Sequence, residues 1–354
     1  MSIQVKNSAF QVGESFPKYK AAAVQAASVF LDREGSTEKA CALIEEAAQN
    51  GARFIAFPEC FIPGYCYWTA NLRFSQQKVL KEEFFNQAVM IPSSTTDKLC
   101  ETARKYNVFV AIGINERDNK TLYDTMLYID QTGKIVGKHR KFKPIGPEKL
   151  MWGDGNGAYH KVVPTEFGRL GSLMGMEHAS VLPGYALGGM AEQLHVAAWA
   201  APDILDDSVT RICARHHAMS YNTFVICPMG VLDEAVADKL GLPHDALPLR
   251  NSWSGIIEPG TGRIIAQCEH PDQDEIVYAD IDLAVTVPNY FHHEPNGHYC
   301  GCQFKLLFDA RDTTPFHVVD SFSGISCVQS TENPSAYDPF ATPTVPVSPA
   351  EEDV

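Results

Sequence analysis

Short apolar runs alternate along the chain with segments whose apolar residues recur every three or four positions. KYKAAAVQAA (18–27) predicts a short buried strand, and RFIAFPE (53–59) a second one stopped by its proline. Between them STEKACALIEEAAQNGA (36–52) has helical periodicity, with Ser36 or Thr37 able to cap its start and Gly51 just past its end. DKLCETARKYN (97–107) predicts another helix, followed at once by the strand VFVAIGIN. TLYDTMLYID and GKIVGKHRK flank the turn QTG as a hairpin, and SWSGIIEPGTGRIIAQC holds a second hairpin around Pro-Gly-Thr-Gly. QLHVAAWAA and TFVICPMG are apolar strands on either side of the helix SVTRICARHHAMSYN, and EIVYADID is the last strand. Helices alternating with strands, with hairpins mixed in, predict an α/β protein with mixed sheets covered on both faces.

The balance of charge narrows the partners. The chain has 354 residues and a formal net charge of −14, which argues against nucleic acid or an anionic membrane surface. No run of about 18 apolar residues is present to span a bilayer, and the polar start MSIQVKNSAFQVGES lacks the apolar core of a secretory signal, so a cytoplasmic protein is expected. The ten cysteines have no disulfide-like rhythm and read as reduced thiols. Residues 1–17 read as an N-terminal extension, 18–310 as the folded domain and 311–354 as a C-terminal extension. From about 328 that extension is rich in Pro, Ser and Thr, and is expected to be disordered or draped on the surface.

Three separated segments carry chemistry. FIAFPECFIPGYCYW (54–68) presents Glu59 at the end of an apolar strand. GKHRKFKPIGPEKLMWGDGNG (137–157) contains Lys141 and Glu148, although its basic run would read by itself as a solvated face. GRLGSLMGMEHAS (168–180) is a strand ending in Gly-Met-Glu-His. In this order the segments resemble the nitrilase superfamily of carbon–nitrogen hydrolases, over roughly residues 18 to 310. HVAAWAAP (195–202) and Gly-His-Tyr at 297–299 match further motifs, and the Pro-Gly-Tyr and His-Arg-Lys-x-Lys-Pro forms point to the nitrilase and cyanide hydratase branch. The resemblance implies an α-β-β-α sandwich that packs into a homodimer or larger homo-oligomer, with a small-molecule substrate and no cofactor. It also implies roles: Glu59 as general base, Lys141 as the cation that stabilises developing negative charge, and Glu148 as the second carboxylate. Tyr65, Cys66, Met176, Glu177 and Trp199 are expected around the substrate.

The resemblance breaks at its centre. The nucleophile segment usually reads Leu-x-Cys-Trp-Glu-Asn, and LMGMEH places Gly175 at the cysteine, Met176 at the tryptophan and His178 at the asparagine. Val181 and Gly184 replace a usual proline and arginine, and Gly-His-Tyr continues as Cys-Gly-Cys instead of Arg-Pro-Asp. Glycine forms no thioester or thioimidate, so the covalent route is closed there. Four explanations follow: an inactivated hydrolase; an enzyme that kept the Glu–Lys–Glu frame and runs noncovalent hydration, elimination, condensation or cyclisation; a substitute thiol, with Cys66 the best candidate; or a non-catalytic scaffold. His178 titrates in the range of an acid or base, against the blander alternative of a core histidine satisfied by a hydrogen bond. Cys60, if the strand continued, would point away from Glu59. His292, His293, Glu294, His298, Cys300 and Cys302 are metal-ligand types at spacings that match no common zinc pattern, so no metal is expected. His216 and His217 diverge on a helix and do not chelate together.

Overall fold

The structure is a computed structural model that describes residues 16–200, 207–247, 249 and 251–289. Its strands are β1 (Lys18–Gln25), β2 (Ala52–Ala56), β3 (Phe109–Asp118), β4 (Thr121–Ile129), β5 (Ile135–Arg140), β6 (Val163–Thr165), β7 (Gly168–Met174), β8 (Leu194–Ala198), β9 (Phe224–Cys227), β10 (Gly255–Ile257), β11 (Ile264–Gln267) and β12 (Glu275–Asp282). Its α-helices are α1 (Arg33–Gln49), α2 (Trp68–Asn71), α3 (Lys78–Gln87), α4 (Ser94–Tyr106), α5 (Val181–Gly189), α6 (Asp207–Ser220) and α7 (Glu234–Leu240). The strands form two six-stranded mixed sheets, ordered β12-β1-β2-β3-β4-β5 and β11-β10-β9-β8-β7-β6. Parallel pairing at the centre of each sheet, β1/β2/β3 and β7/β8/β9, gives way to antiparallel pairing at the edges.

Alternation along the strands explains the layers. Ala21, Ala23, Phe54 and Phe109 on one sheet meet Leu194, Val196 and Phe224 on the other in one buried cluster. The opposite face of the first sheet, through Val24, Ile55 and Val110, packs on Ala40 and Ile44 of α1 and Leu99 of α4. The outer face of the second sheet, through Val225 and Ile257, packs on Ala214 and Ala218 of α6. The result is the helix–sheet–sheet–helix order, with the central strands of each sheet buried on both faces. Each fully buried Val, Leu, Ile or Phe contributes about 1.5–3 kcal/mol, so these interlayer faces hold the fold together.

Several expectations about boundaries are corrected. α1 starts three residues earlier than its periodicity suggested, and its N-cap is Asp32, which accepts from the Gly35 N–H at 2.9 Å. Ser36 instead bonds the Val29 carbonyl from inside the first turn. The strand expected to reach Glu59 ends at Ala56. Helices α3, α5 and α7 were not foreseen: KVLKEEFFNQ buries only Phe84, and α5 contains Pro183 and three glycines that weaken a helical reading. Gly-His-Tyr at 297–299, the cluster at 292–302 and the C-terminal extension lie outside the described residues, as does most of the N-terminal extension.

Candidate active site

The turn after β2 places Glu59. β3 carries Gly113 directly opposite, and a Cβ there would sit 2.2 Å from the Pro58 carbonyl oxygen and 2.7 Å from the Glu59 Cα. Only glycine therefore lets residues 58–60 press against the sheet. The Gly113 N–H donates to the Pro58 carbonyl, and its carbonyl accepts from the Ile62 N–H, both at 3.2 Å. Because the strand has ended, Cys60 adopts a positive φ of 51° and does not point away as strand alternation implied. Its thiol donates to Asp124 Oδ1 at 3.2 Å.

Lys141 follows the last residue of β5, and its N–H donates to the Asp124 carbonyl of β4 at 2.9 Å. Its ammonium donates to Glu59 Oε1 at 2.6 Å and Glu148 Oε1 at 2.8 Å, and lies 3.5 Å from Asp124 Oδ2. Glu148 also accepts from the Tyr65 hydroxyl at 2.5 Å and the Ile145 N–H at 2.7 Å. All four charged groups are buried. Burial alone would push the Lys141 ammonium down, but Glu59, Asp124 and Glu148 together hold it well above the ordinary lysine value. Burial raises the Glu59 carboxyl well above its usual range, and Lys141 only partly offsets this. Burial likewise raises Asp124. Asp124 was missed in the sequence, where its only signal was a carboxylate in the middle of an otherwise apolar strand.

Gly175 sits at the end of β7 with φ +50°, a left-handed conformation natural to glycine. A Cβ built there would lie 3.0 Å from Glu59 Oε2 and 3.5 Å from Lys141 Nζ. Position 175 thus faces both the carboxylate and the ammonium. Two residues on, Glu177 accepts from the Phe142 N–H at 2.7 Å and the Met174 N–H at 2.9 Å, and His139 Nε2 donates to it at 3.0 Å. It therefore ties the residue after Lys141 to the residue before Gly175. Burial disfavours its charge, but His139 and the two N–H groups hold the carboxyl down at about 2. Its contribution is complete above pH about 4.5 and is lost as the pH falls towards 2. Glu177→Ala should cost about 3 kcal/mol in chemical denaturation, and Glu177→Gln less, because its one amide oxygen still accepts on one side although its NH2 cannot serve the N–H on the other. Equal costs would show that these two bonds are not what holds the segments.

His178 Nδ1 donates to the Gly175 carbonyl at 2.8 Å, and its Nε2 is 3.0 Å from His195 Nε2. His195 and His217 each reach one oxygen of Glu192 at 2.7 Å. Burial pushes His178 well below the ordinary histidine value. Both of its nitrogens are committed within the protein, so serving as an acid or base in the site requires breaking one bond. Glu192, His195 and His217 offer metal-ligand atoms within 4.8 Å of one another. The His195 and His217 rings stack at 3.6 Å with planes 27° apart, and each already spends a nitrogen on one oxygen of Glu192. This cluster was not foreseen, because His217 on α6 meets Glu192 and His195 from a segment more than 20 residues away in the chain.

A narrow cleft of about 10 Å³, room for little more than one water molecule, opens beside Glu59, lined also by Cys60, Tyr65, Tyr67, Ala200 and Gly230. Trp199 stacks on His178, with ring centres 5.6 Å apart, and Met176 packs against the cluster that contains Trp199. Cys66 is buried, and burial drives its thiol well above the ordinary value. Thiolate, the nucleophilic form, is correspondingly disfavoured there.

The chain is thus a two-sheet α/β sandwich in which a carboxylate and an ammonium meet opposite a strand end. The Carbon-nitrogen hydrolase family matches residues 20–288, and the chain belongs to it. A nitrilase of Bacillus sp. (strain OxB-1) is 35% identical over 319 residues, covering 87% of this chain and 93% of the relative. An aliphatic nitrilase of Rhodococcus rhodochrous is 33% identical over 320 residues, 85% of this chain and 82% of its own. A cyanide hydratase of Neurospora crassa is 38% identical over 282 residues, 75% and 80% of the two chains. Among solved structures, Saccharomyces cerevisiae Nit3 of the nitrilase superfamily aligns with a TM-score of 0.63 at 18% identity, over 77% of this chain and 93% of its own. No helix among the described residues is long and apolar enough to cross a membrane.

Proposed function

We propose that this protein adds water to a small nitrile, or a related carbon–nitrogen substrate, without forming a covalent bond to it. The observation that carries the reading is the geometry at position 175. Glycine puts no side chain where a Cβ would lie 3.0 Å from Glu59 Oε2 and 3.5 Å from Lys141 Nζ, and both charged groups close in on that position. A space bounded by a carboxylate and an ammonium suits a water molecule better than an apolar group. Glu59 takes a proton from that water as its oxygen attacks the nitrile carbon. The Lys141 ammonium stabilises the negative charge that develops on nitrogen. Protonation of that nitrogen gives the imidic acid, which tautomerises to the amide, so nitrile plus water is balanced by amide alone. The relatives named nitrilase and cyanide hydratase support a nitrile as the substrate class. The narrow cleft beside Glu59 gives a water-sized molecule a place next to that carboxylate.

The test is to incubate the purified protein with a panel of small aliphatic and aromatic nitriles and cyanide, and to follow amide and acid by chromatography. We expect amide, abolished by Glu59→Gln and unchanged by Cys66→Ala. Loss of turnover in Cys66→Ala with folding intact would hand the role of attacker to that thiol. No product from any member of the panel would favour a binding or scaffold protein.

A further inference from the structure

The charges at the frame do not balance. Glu59, Asp124 and Glu148 are three buried carboxyl groups around one ammonium. One cation compensates one anion, and two further bare anions in a dry site are expensive. The hydrogen bonds say where the relief falls. Glu148 accepts from three donors, Lys141, Tyr65 and the Ile145 N–H, which is the environment of a settled carboxylate. Glu59 accepts from Lys141 on Oε1, and Asp124 accepts the weak Cys60 thiol on Oδ1. Asp124 Oδ2 has no hydrogen-bond donor among the described residues and lies 3.5 Å from the ammonium that already holds Glu59. The other titratable groups close by, Cys60, Cys66, Tyr65 and Tyr67, are all raised by burial, stay neutral and supply no positive charge.

We propose that Glu59 and Asp124 share one proton at neutral pH, and that this proton replaces the one a thiol would have brought to the site. Two carboxyls held against the same cation cannot both ionise cheaply, so the pair behaves as one acid–base unit. Burial raises both groups; Asp124 raises Glu59 further, whereas the side-chain hydrogen bond between the two lowers Asp124, which puts the proton on the Glu59 side of a shared hydrogen bond. Glu59, which borders the cleft, is the member that meets substrate; Asp124 acts through it as a positioning residue. Resting on the hydration reading above, the cycle balances: water gives one proton to the pair at Glu59, the pair returns one to the nitrile nitrogen, and it ends with the single proton it began with.

Infrared difference spectroscopy on the full chain at neutral pH reads this directly. Wild type minus Asp124→Asn, and wild type minus Glu59→Gln, should each show loss of the same neutral-carboxyl carbonyl band, with its shift in D₂O. Either variant alone suffices if the other fails to fold. Loss of an ionised carboxylate band instead, in either difference, overturns the shared proton. In turnover, Asp124→Asn should move the acid limb of kcat/KM down by at least about one pH unit while Glu59 continues to work; an unmoved limb overturns the coupling. The two readings separate cleanly. A neutral-carboxyl band with no turnover of any nitrile defeats the hydration and leaves the proton, whereas turnover without the band does the reverse.

Discussion

Gly175→Cys should convert the protein into one that forms covalent adducts with small nitriles, at close to one adduct per chain by intact mass spectrometry. The new Cβ falls 3.0 Å from Glu59 Oε2, within reach for proton removal from the thiol, and 3.5 Å from the ammonium that lowers the energy of a thiolate. The product should shift from amide towards acid, because a thioimidate loses ammonia on hydrolysis. The substitution has a structural cost. At φ +50° a side chain is strained by about 1–2 kcal/mol, and Glu59 Oε2 must retreat by a few tenths of an ångström. A small loss of melting temperature alongside gained reactivity is therefore expected. A folded Gly175→Cys protein that no nitrile labels would mean that the frame is not poised for this chemistry.

The second large effect is expected from Lys141→Met. The methionine fills the volume but leaves Glu59, Asp124 and Glu148 facing one another without their cation. Removing one partner of a buried ion pair costs about 3–5 kcal/mol, and loss of a charge-stabilising donor costs about 10²–10³ in turnover. The pH dependence gives the sign. In the wild type the Lys141 contribution is complete at neutral pH, since its ammonium is held well above the lysine range and fades only at strongly alkaline pH. In the variant the carboxyls are most stable protonated, so its stability deficit should shrink as the pH is lowered from about 8 to 5, followed by urea denaturation at each pH. A deficit that does not change with pH would mean that the three carboxyls do not depend on this ammonium.

How much of this was legible in the chain follows from the range of each signal. The two sheets and their covering helices came from periodicity, because strands buried on both faces read as continuous apolar runs. Glu59, Lys141, Glu148 and Gly175 were named from motif order, and the structure gathers Glu59, Glu148 and position 175 around the Lys141 ammonium. Asp124 was not named, because a single acid inside TLYDTMLYID looks like a tolerated surface residue until β4 is placed between Glu59 and Lys141. Cys60 was turned the wrong way because the strand was carried three residues too far. The Glu192–His195–His217 cluster was invisible for a deeper reason. His217 was judged only against His216, its neighbour in sequence, whereas its partners lie 22 and 25 residues away across β8 and α6.

The claim at the centre is that the inherited carboxylate and ammonium work on substrate with no attacking atom from the protein. Turnover of a small nitrile by the unmodified chain in the presence of hydroxylamine tests it most directly, because an acyl group carried on the protein partitions to hydroxamate and one that was never attached does not. The account predicts amide, no hydroxamate and an unchanged protein mass throughout. Hydroxamate, or a substrate-sized increment on the protein, would contradict it.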